Sequence, residues 1–438
     1  GADGAFSFDA TGFRDGDATL TVRAGKDEFV RKVRKLAPLP AGRHMSWIEN
    51  GNLVVDGRPT ARRNIYACGF MGGKAFDEKF KADDLHITTN IGSIANLDLR
   101  NCDPSLMYSE ALKDVRPSKR VFDWLDTQIA KARTSSGCMY YIMDEPECWG
   151  ASDVYFRHIY DYVAEKDPYH VIYSCCRAGD IYYGIADLFE THPYIDPHNT
   201  SDGRRVYGRA FNELGSYVDD VVRLGRPDKA MGFYQTSFAY RYNDPTSDYP
   251  TFAEAVCHVW AGVIRGAVSL NSYATHDLGD RAAVYEGTRY TFTSMAALEN
   301  YLLFGKRTRL ALTKDYEAVR YELGDGSKVF VVVNFTQKPV RAEARGIPAG
   351  DYVEFRGTRR FSSPTAFDLR PHEVVIGTTR RYDEGLATYA ETQAAIDAKE
   401  RERTGRDNQL LDRFTELTFI GSNAKSSFYK LVRKCEDK

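Results

Sequence analysis

The eight cysteines of this sequence include no Cys-x-x-Cys pair, which removes the usual zinc-ribbon and dithiol-redox signatures. Its nine histidines form neither His-x-x-x-His nor His-Glu-x-x-His, so a helix-borne zinc site has no support. No Gly-x-Ser-x-Gly elbow announces a serine hydrolase, and no Gly-x-Gly-x-x-Gly follows a strand, as dinucleotide binding requires. Gly72-Gly73-Lys74 lacks the rest of a phosphate loop and reads as a turn. Charge of one sign is lacking too. With 59 Lys and Arg against 61 Asp and Glu, the net charge of -2 leaves no footprint for nucleic acid. No apolar run reaches the length of a membrane span, and neither a repeat nor a low-complexity segment occurs.

What the sequence does have is aromatic surface: 28 Tyr and 4 Trp, with aromatics at 13%. These side chains join a flat apolar face to a polar tip, which suits core packing and stacking on sugar rings alike. The cysteines fall in strand-like or helix-like apolar segments and are expected to be mostly buried free thiols.

At 438 residues the chain predicts more than one domain. Residues 1–50 alternate apolar and polar positions, as in Ala18-Thr19-Leu20-Thr21-Val22, and predict an N-terminal β module. Residues 51–305 then alternate strand and helix patterns with short connections. Val121 to Arg133 is amphipathic, Cys138 to Met143 is a continuous apolar strand, and Ser152-Asp153 caps a helix running to Lys166. Further strands are predicted at His170 to Cys176, Asp187 to Glu190, Ala230 to Gln235 and Ala267 to Tyr273, with helices over Ala210 to Leu224, Phe252 to Arg265 and Tyr290 to Phe304. This is the pattern of a parallel sheet with helical crossovers. An open doubly wound sheet shares it, but polar clusters recur after nearly every strand, which favours an α/β fold of the (β/α)8 TIM-barrel type, irregular over 76–120. Residues 306–380 switch to period-two alternation and predict an antiparallel β module of sandwich type. Residues 381–438 read as a helical linker or strap, or the start of a further domain. Both chain ends read as cuts from a longer polypeptide, so a secreted, periplasmic or cell-surface location is expected, its export signal lying outside this chain.

Barrel enzymes carry their chemistry at the C-terminal ends of the strands. The densest such end is Met143-Asp144-Glu145-Pro146-Glu147, where an apolar strand delivers carboxylates whose desolvation is costly unless they serve or are paired. That segment resembles the fourth-strand motif Asn-Glu-Pro of a large superfamily of barrel glycoside hydrolases. Val54-Val55-Asp56-Gly57-Arg58-Pro59, Glu190-Thr191-His192-Pro193-Tyr194, Gln235, and Leu369-Arg370-Pro371-His372-Glu373-Val374 follow in the matching order, so the resemblance covers residues 50–377. It implies Glu145 as general acid, Asp144 in the place of the Asn, and an oligosaccharide or polysaccharide substrate; the histidine spacing leads to the expectation of no metal, and no other cofactor is expected. One departure matters. Where a retaining member presents a nucleophilic Glu after strand seven, this chain has Tyr234-Gln235-Thr236.

Three outcomes follow from that departure. Inversion would use Glu190 or Asp277 as the second acid, ~6.5–9.5 Å from the first, against ~5–5.5 Å for retention. A Tyr nucleophile, Tyr234 or Tyr273, would preserve retention. Otherwise the barrel is a non-catalytic carbohydrate binder or scaffold of a larger protein. Substrate contacts are expected from Tyr66, Trp149, Arg177, His192, Tyr194, Tyr234, Gln235, Asn271, Tyr273 and Asp277. The loop aromatics Phe238, Tyr240 and Tyr242 are further stacking candidates, whereas Arg204, Arg205 and Arg209 read first as solvated or paired with Asp202 and second, with Arg177, as ligands of an acidic sugar. Adjacent strand residues point to opposite faces, so only one of Asp144 and Glu145 faces the mouth unless the Pro146 turn redirects the other.

Overall fold

The computed structural model describes residues 11–433 except 40, 66–87, 89–92, 135–136, 177–181, 220–227, 240–245, 274–280, 363, 383–384, 412–413 and 424–425, and side chains up to 404 apart from 24, 93 and 94. The chain opens with a hairpin of β1 (Gly16–Ala24) and β2 (Asp27–Lys35), exposed along almost all of β2. A three-stranded sheet follows: β3 (Ser46–Glu49), β4 (Asn52–Val55) and β5 (Arg58–Pro59). It lies against the N-terminal ends of two barrel strands. Ser46 donates its N–H to the Tyr169 carbonyl at 2.8 Å and its hydroxyl to that of Cys138 at 2.5 Å.

Seven described parallel strands make the central sheet: β6 (Arg62–Ile65), β7 (Ser93–Asn96), β8 (Met139–Asp144), β9 (Val171–Cys175), β10 (Leu188–Thr191), then β13 (Ala230–Thr236) and β14 (Ser269–Tyr273). Between β10 and β13 the chain forms the small hairpin of β11 (Pro197–Asn199) and β12 (Arg205–Tyr207). The sheet order is β6-β14-β13-β10-β9-β8-β7, with every pairing parallel. The last strand therefore closes on the first, the cyclic order of a (β/α)8 barrel. Only between β6 and β7 is the order not continuous, and the intervening chain falls mostly outside the described residues. In the stretch expected to be irregular, β7 is four residues long and its register against β8 shifts between Ser93 and Ala95.

Strands such as β8 and β9 form where the sequence is apolar on both faces, because helices cover the outside and side-chain layers fill the inside. β8 is Met-Tyr-Tyr-Ile-Met-Asp, buried up to its last residue. Its flanking helices are Lys119–Ala132, which buries Val121, Leu125 and Ile129, and Asp153–Lys166, which buries Tyr155, Phe156, Ile159 and Val163. Ser152 caps the second by accepting from the Tyr155 N–H, and each large apolar side chain so buried contributes about 1.5–3 kcal/mol. Two helices differ from expectation. The one near 210 forms Phe211–Leu214, is interrupted at Gly215, against which the Arg265 side chain packs too closely to admit a Cβ, and is helical again over 216–219, beyond which residues 220–227 lie outside those described. The one expected from Tyr290 starts at Ala282, ends at Ala297, and resumes as Glu299–Phe304.

After the barrel come β15 (Lys306–Leu312), β16 (Tyr316–Glu322), β17 (Lys328–Asn334), β18 (Val340–Glu343), β19 (Tyr352–Glu354), β20 (Arg360–Phe361), β21 (Ala366–Leu369) and β22 (Val374–Thr378). Six of them form one antiparallel sheet, and β18 pairs with β21 to close a small separate core around Phe330, Tyr352 and Phe367. This module is fastened to the barrel by a buried ion pair, Arg265 to Glu317 at 2.7 Å. A long helix, Tyr389–Leu411, and a hairpin of β23 (Phe414–Asn423) and β24 (Ser426–Arg433) end the described chain. The six described cysteines, at 102, 138, 148, 175, 176 and 257, are all free. No helix among the described residues is long and apolar enough to cross a membrane.

Candidate active site at the barrel mouth

Two local distortions decide how the end of β8 presents its acids. The first is a register shift: Tyr141 pairs with Tyr173, but Asp144 rather than Met143 pairs with Cys175. One extra residue turns Asp144 onto the face that Tyr141 occupies, and Tyr141 donates its hydroxyl to Asp144 Oδ1 at 2.8 Å. The second is Glu145 itself, at φ 47° and ψ 53°. This left-handed conformation costs a non-glycine residue about 1–2 kcal/mol. It is held by the Glu145 N–H donating to the Cys175 carbonyl at 2.7 Å, and by Pro146 opening the short helix Pro146–Trp149. Strict alternation would have turned one acid outward. Instead both side chains are about one-third exposed, at 34% for Asp144 and 38% for Glu145.

Glu145 meets His192, the residue just after β10, through Oε1 and Nε2. On its other side His192 Nδ1 lies 3.4 Å from the Cys175 sulfur. Cysteine, histidine and carboxylate in line resemble a nucleophilic relay. Here, however, burial and the nearby carboxylates push the thiol far above its ordinary range, so it is protonated and a poor nucleophile. A protonated thiol donates to Nδ1, which leaves the Nε2 hydrogen for Glu145. That hydrogen bond, opposed by burial and aided by the neighbouring His192 and Arg100, holds the Glu145 carboxyl below its usual range. Glu145 is therefore ionised at rest. Its surroundings at rest suit a base or nucleophile more than a proton donor. Arg100 stands 3.5 Å from Asp144, is also bound to Asp98, and stacks 5.3 Å from the Trp149 ring.

Glu145 and Glu147 form one wall of a cavity of about 660 Å3. The facing wall is the segment after β10, which contributes Tyr194, Asp196, Arg209, Glu213 and Tyr217. Gly208 is required there, because a Cβ would meet the Asp196 carboxylate at 2.9 Å. The β11–β12 hairpin carries this wall and is tied down on its far side. Arg205 grips both oxygens of Glu254, at 2.6 and 2.7 Å, and Tyr207 donates to Glu254 while contacting His372 Nε2 at 3.0 Å. Fully buried His258 braces the root of the loop. Its Nδ1 accepts from the Thr236 N–H, so its Nε2 donates to the Pro193 carbonyl at 3.1 Å. Burial drops its pKa to about 3, which keeps the ring neutral.

The residues expected at the mouth divide by depth. His192 and Tyr194 join Glu145 at the cavity, and Tyr194 packs on Phe238 and Tyr273 at 5.0 and 5.7 Å. Trp149 is exposed on the Arg100 side of the β8 turn. Asn271 lies beneath the mouth, accepting from Asn64 Nδ2 at 3.0 Å. Glu190 does not line the cavity. It points into the barrel interior at 0% exposure, where it binds Arg62 and accepts from Ser269 at 2.6 Å. Gly232 leaves it room, since a Cβ there would lie 2.7 Å from Glu190 Cγ. Gln235 faces the other way, donating to Thr288 of the Ala282–Ala297 helix at 3.2 Å. Alternation along β13 turns Tyr234 inward and Gln235 outward, so this Gln does not occupy a nucleophile's place. Burial raises the Tyr234 phenol far above its usual range, which removes it as a resting nucleophile. Tyr66, Arg177, Tyr240, Tyr242 and Asp277 lie outside the described residues. Among those that are described, no group of three His, Cys, Asp or Glu side chains could hold a metal.

Sequence reasoning gave no role to Arg100, Cys175, Glu213, Tyr217 or His258. Arg209, read as solvated, lines the cavity, and Arg205 is an anchor rather than a solvated charge. Arg100 and Cys175 share a strand-end position, and Glu213 and Tyr217 share the segment after β10, which could have drawn notice; His258, inside the helix Phe252–Val263, carries no such signal.

No family model matches the sequence, and no curated protein does. Solved structures similar in fold include a β-L-arabinopyranosidase of Geobacillus stearothermophilus, at 10% identity and TM-score 0.41, covering 61% of this chain and 62% of that one. A candidate α-galactosidase (melibiase) of Bacteroides fragilis is similar at 10% identity and TM-score 0.42, over 84% of this chain and 86% of that one. An Anoxybacillus α-amylase is similar at 11% identity and TM-score 0.39, over 63% of each. The chain thus spans less than two thirds of the arabinopyranosidase. The barrel assignment rests on this chain's own strand order and pairing.

Proposed function

We propose that this protein is a glycoside hydrolase acting on an oligosaccharide or polysaccharide, with Glu145 as the ionised carboxylate of the reaction. The observation that carries the reading is the Glu145–His192 pair in a strained turn that lines a carboxylate-rich cavity at the barrel mouth. Backbone strain of this kind persists where the surrounding structure over-determines it, and it clusters at active sites. Glycoside hydrolysis needs two carboxyl groups flanking the bond, one to protonate the leaving oxygen and one to attack or to activate water. In this reading Glu145 fills the second role. Asp196 or Glu213, which line the facing wall, supplies the proton. Tyr194 and Tyr217 offer ring faces to sugar, and Asp144 with Arg100 offers hydrogen bonds beside them.

The test is digestion of a glycan library followed by mass spectrometry, repeated with Glu145→Gln and with Asp196→Asn. NMR of the first anomer released from an active substrate then separates inversion from retention. Turnover by the native chain that survives Glu145→Gln removes the assignment. Glycan binding without turnover in the native chain would favour the carbohydrate-binding barrel instead.

A further inference from the structure

Two turns of the C-terminal module reach the hairpin that carries the facing wall of the mouth cavity. The turn between β17 and β18 holds Gln337, whose Nε2 donates to the Arg205 carbonyl of β12 at 2.8 Å. The turn between β21 and β22 holds His372, 5% exposed, whose Nε2 lies 3.0 Å from the Tyr207 hydroxyl of the same strand. The two turns are also joined to each other. The His372 N–H donates to the Thr336 carbonyl at 3.1 Å, and Asn334 Nδ2 donates to the Arg370 carbonyl at 2.7 Å. His372 keeps a left-handed backbone at φ 53°, a strain that persists only where the surroundings over-determine it.

The direction of each hydrogen bond follows from the acceptor at the far end. Glu254 meets Arg205 through both oxygens, and although burial opposes its charge, these contacts hold its carboxyl below the usual range. An ionised carboxylate only accepts, so Tyr207 gives it its single hydrogen, at 2.6 Å. The phenol oxygen is then left to accept, and His372 Nε2 carries the hydrogen it receives. The other ring nitrogen of His372, buried Nδ1, has no partner among the described residues, as a nitrogen without hydrogen requires no acceptor. The chain His372–Tyr207–Glu254 thus joins the module, the hairpin and the barrel helix Phe252–Val263.

This chain ends beside the candidate acids. Tyr207 pairs across the hairpin with Pro197, the residue after Asp196, and the next N–H, that of Gly208, donates to the Asp196 carbonyl at 3.0 Å. The His372 ring also packs at 4.4 Å on Phe211, the first residue of the short helix that carries Glu213. One side chain of the module therefore touches the supports of both Asp196 and Glu213.

We propose that the C-terminal module positions this wall of the mouth cavity, with His372 as the positioning residue for the carboxyl group that protonates the leaving oxygen. The catalytic half of this inference rests on the hydrolase reading above.

Hydrogen–deuterium exchange of the full chain, read on peptides covering 195–213, compares the native protein with His372→Phe and His372→Gln. Phe keeps a ring against Phe211 but loses the donor, and Gln restores an N–H. In His372→Phe the segment should exchange about three- to tenfold faster, as the loss of one neutral hydrogen bond implies, while β8 and β17 keep their protection. On an active glycan its kcat should fall about tenfold at nearly constant KM. His372→Gln should recover most of both losses. Gln337→Ala, at an exposed position, should show the same pattern more weakly, and it decides the question should His372→Phe not fold. Unchanged exchange over 195–213 in folded His372→Phe overturns the proposal. So do faster exchange spread evenly over β8 and β17, a Gln variant no better than the Phe variant, or an unchanged kcat despite faster exchange. A native chain that turns over no glycan removes the hydrolase reading instead, and exchange, read without substrate, still decides whether the module holds the wall.

Discussion

Two carboxylate pairs inside one barrel have opposite fates. Arg62 and Glu190 sit in the interior layer with essentially no exposure, surrounded by Tyr173, Tyr234 and Ser269. Glu145 and His192 sit at the strand ends above them, the carboxylate 38% exposed and opening on a cavity. The sequence alone makes both glutamates catalytic candidates, since each ends an apolar strand. Depth separates them. Below, where nothing but protein can approach, an acid is a structural charge that must stay paired. Above, the same chemical group is ionised, hydrogen-bonded and within reach of a ligand.

That contrast can be broken at several points, beginning with the largest expected effect. Glu190→Gln leaves Arg62 buried without its counter-charge and should destabilise the fold by about 3–5 kcal/mol. Denaturant unfolding measures this, and a loss under ~1 kcal/mol would mean the interior pair is not structural. Glu145→Gln should do the reverse: an unfolding midpoint close to native, with turnover on an active glycan reduced about 10²–10⁴-fold. A variant both destabilised and active would erase the distinction between the two layers.

Acidity sharpens it further. The depressed Glu145 pKa keeps the carboxylate charged below the ordinary glutamate value of ~4.3, so a reaction that uses the ion should fail only below that pH. Removing the hydrogen bond with His192→Phe should move this acid limb upward, and an unmoved limb would assign it to another group. Stability has its own window. His258 and His372 titrate near 3 and near 4 in the folded chain, against ~6.5 unfolded. Between those values the unfolded state binds protons that the folded state refuses, so stability falls as pH drops below ~6.5. Thermal melts from pH 7.5 to 5 should show this decline, and His258→Asn should flatten it. The smallest effect belongs to Gln235→Ala. Losing the hydrogen bond to Thr288 should cost about 1 kcal/mol, with turnover changed only a few-fold.

Much of the barrel was legible, because strands buried on both faces read as apolar runs and amphipathic helices read at their own period. Met139–Asp144, Val171–Cys175 and Asp153–Lys166 fall within a residue or two of expectation. The site was less so. Asp144 and Glu145 stood out as acids past an apolar strand, but their directions depend on a register shift against β9 that pattern does not encode. Glu190 and Gln235 were mislaid for a related reason: where a strand leaves the sheet decides which of its last residues is inside.

The sequence by itself determined the alternation of strand and helix, the switch to a β module after residue 305, and the cluster of acids around Pro146. Local propensity and hydrophobic period suffice for these, since each is a property of neighbours along the chain. Tertiary structure alone decided that Asp144 and Glu145 share the mouth, that His192 and Cys175 fix the proton opposite Glu145, and that Glu190 answers Arg62 in the interior. Those outcomes depend on register, depth and charge between residues far apart in sequence. Such relations exist only once the sheet has closed.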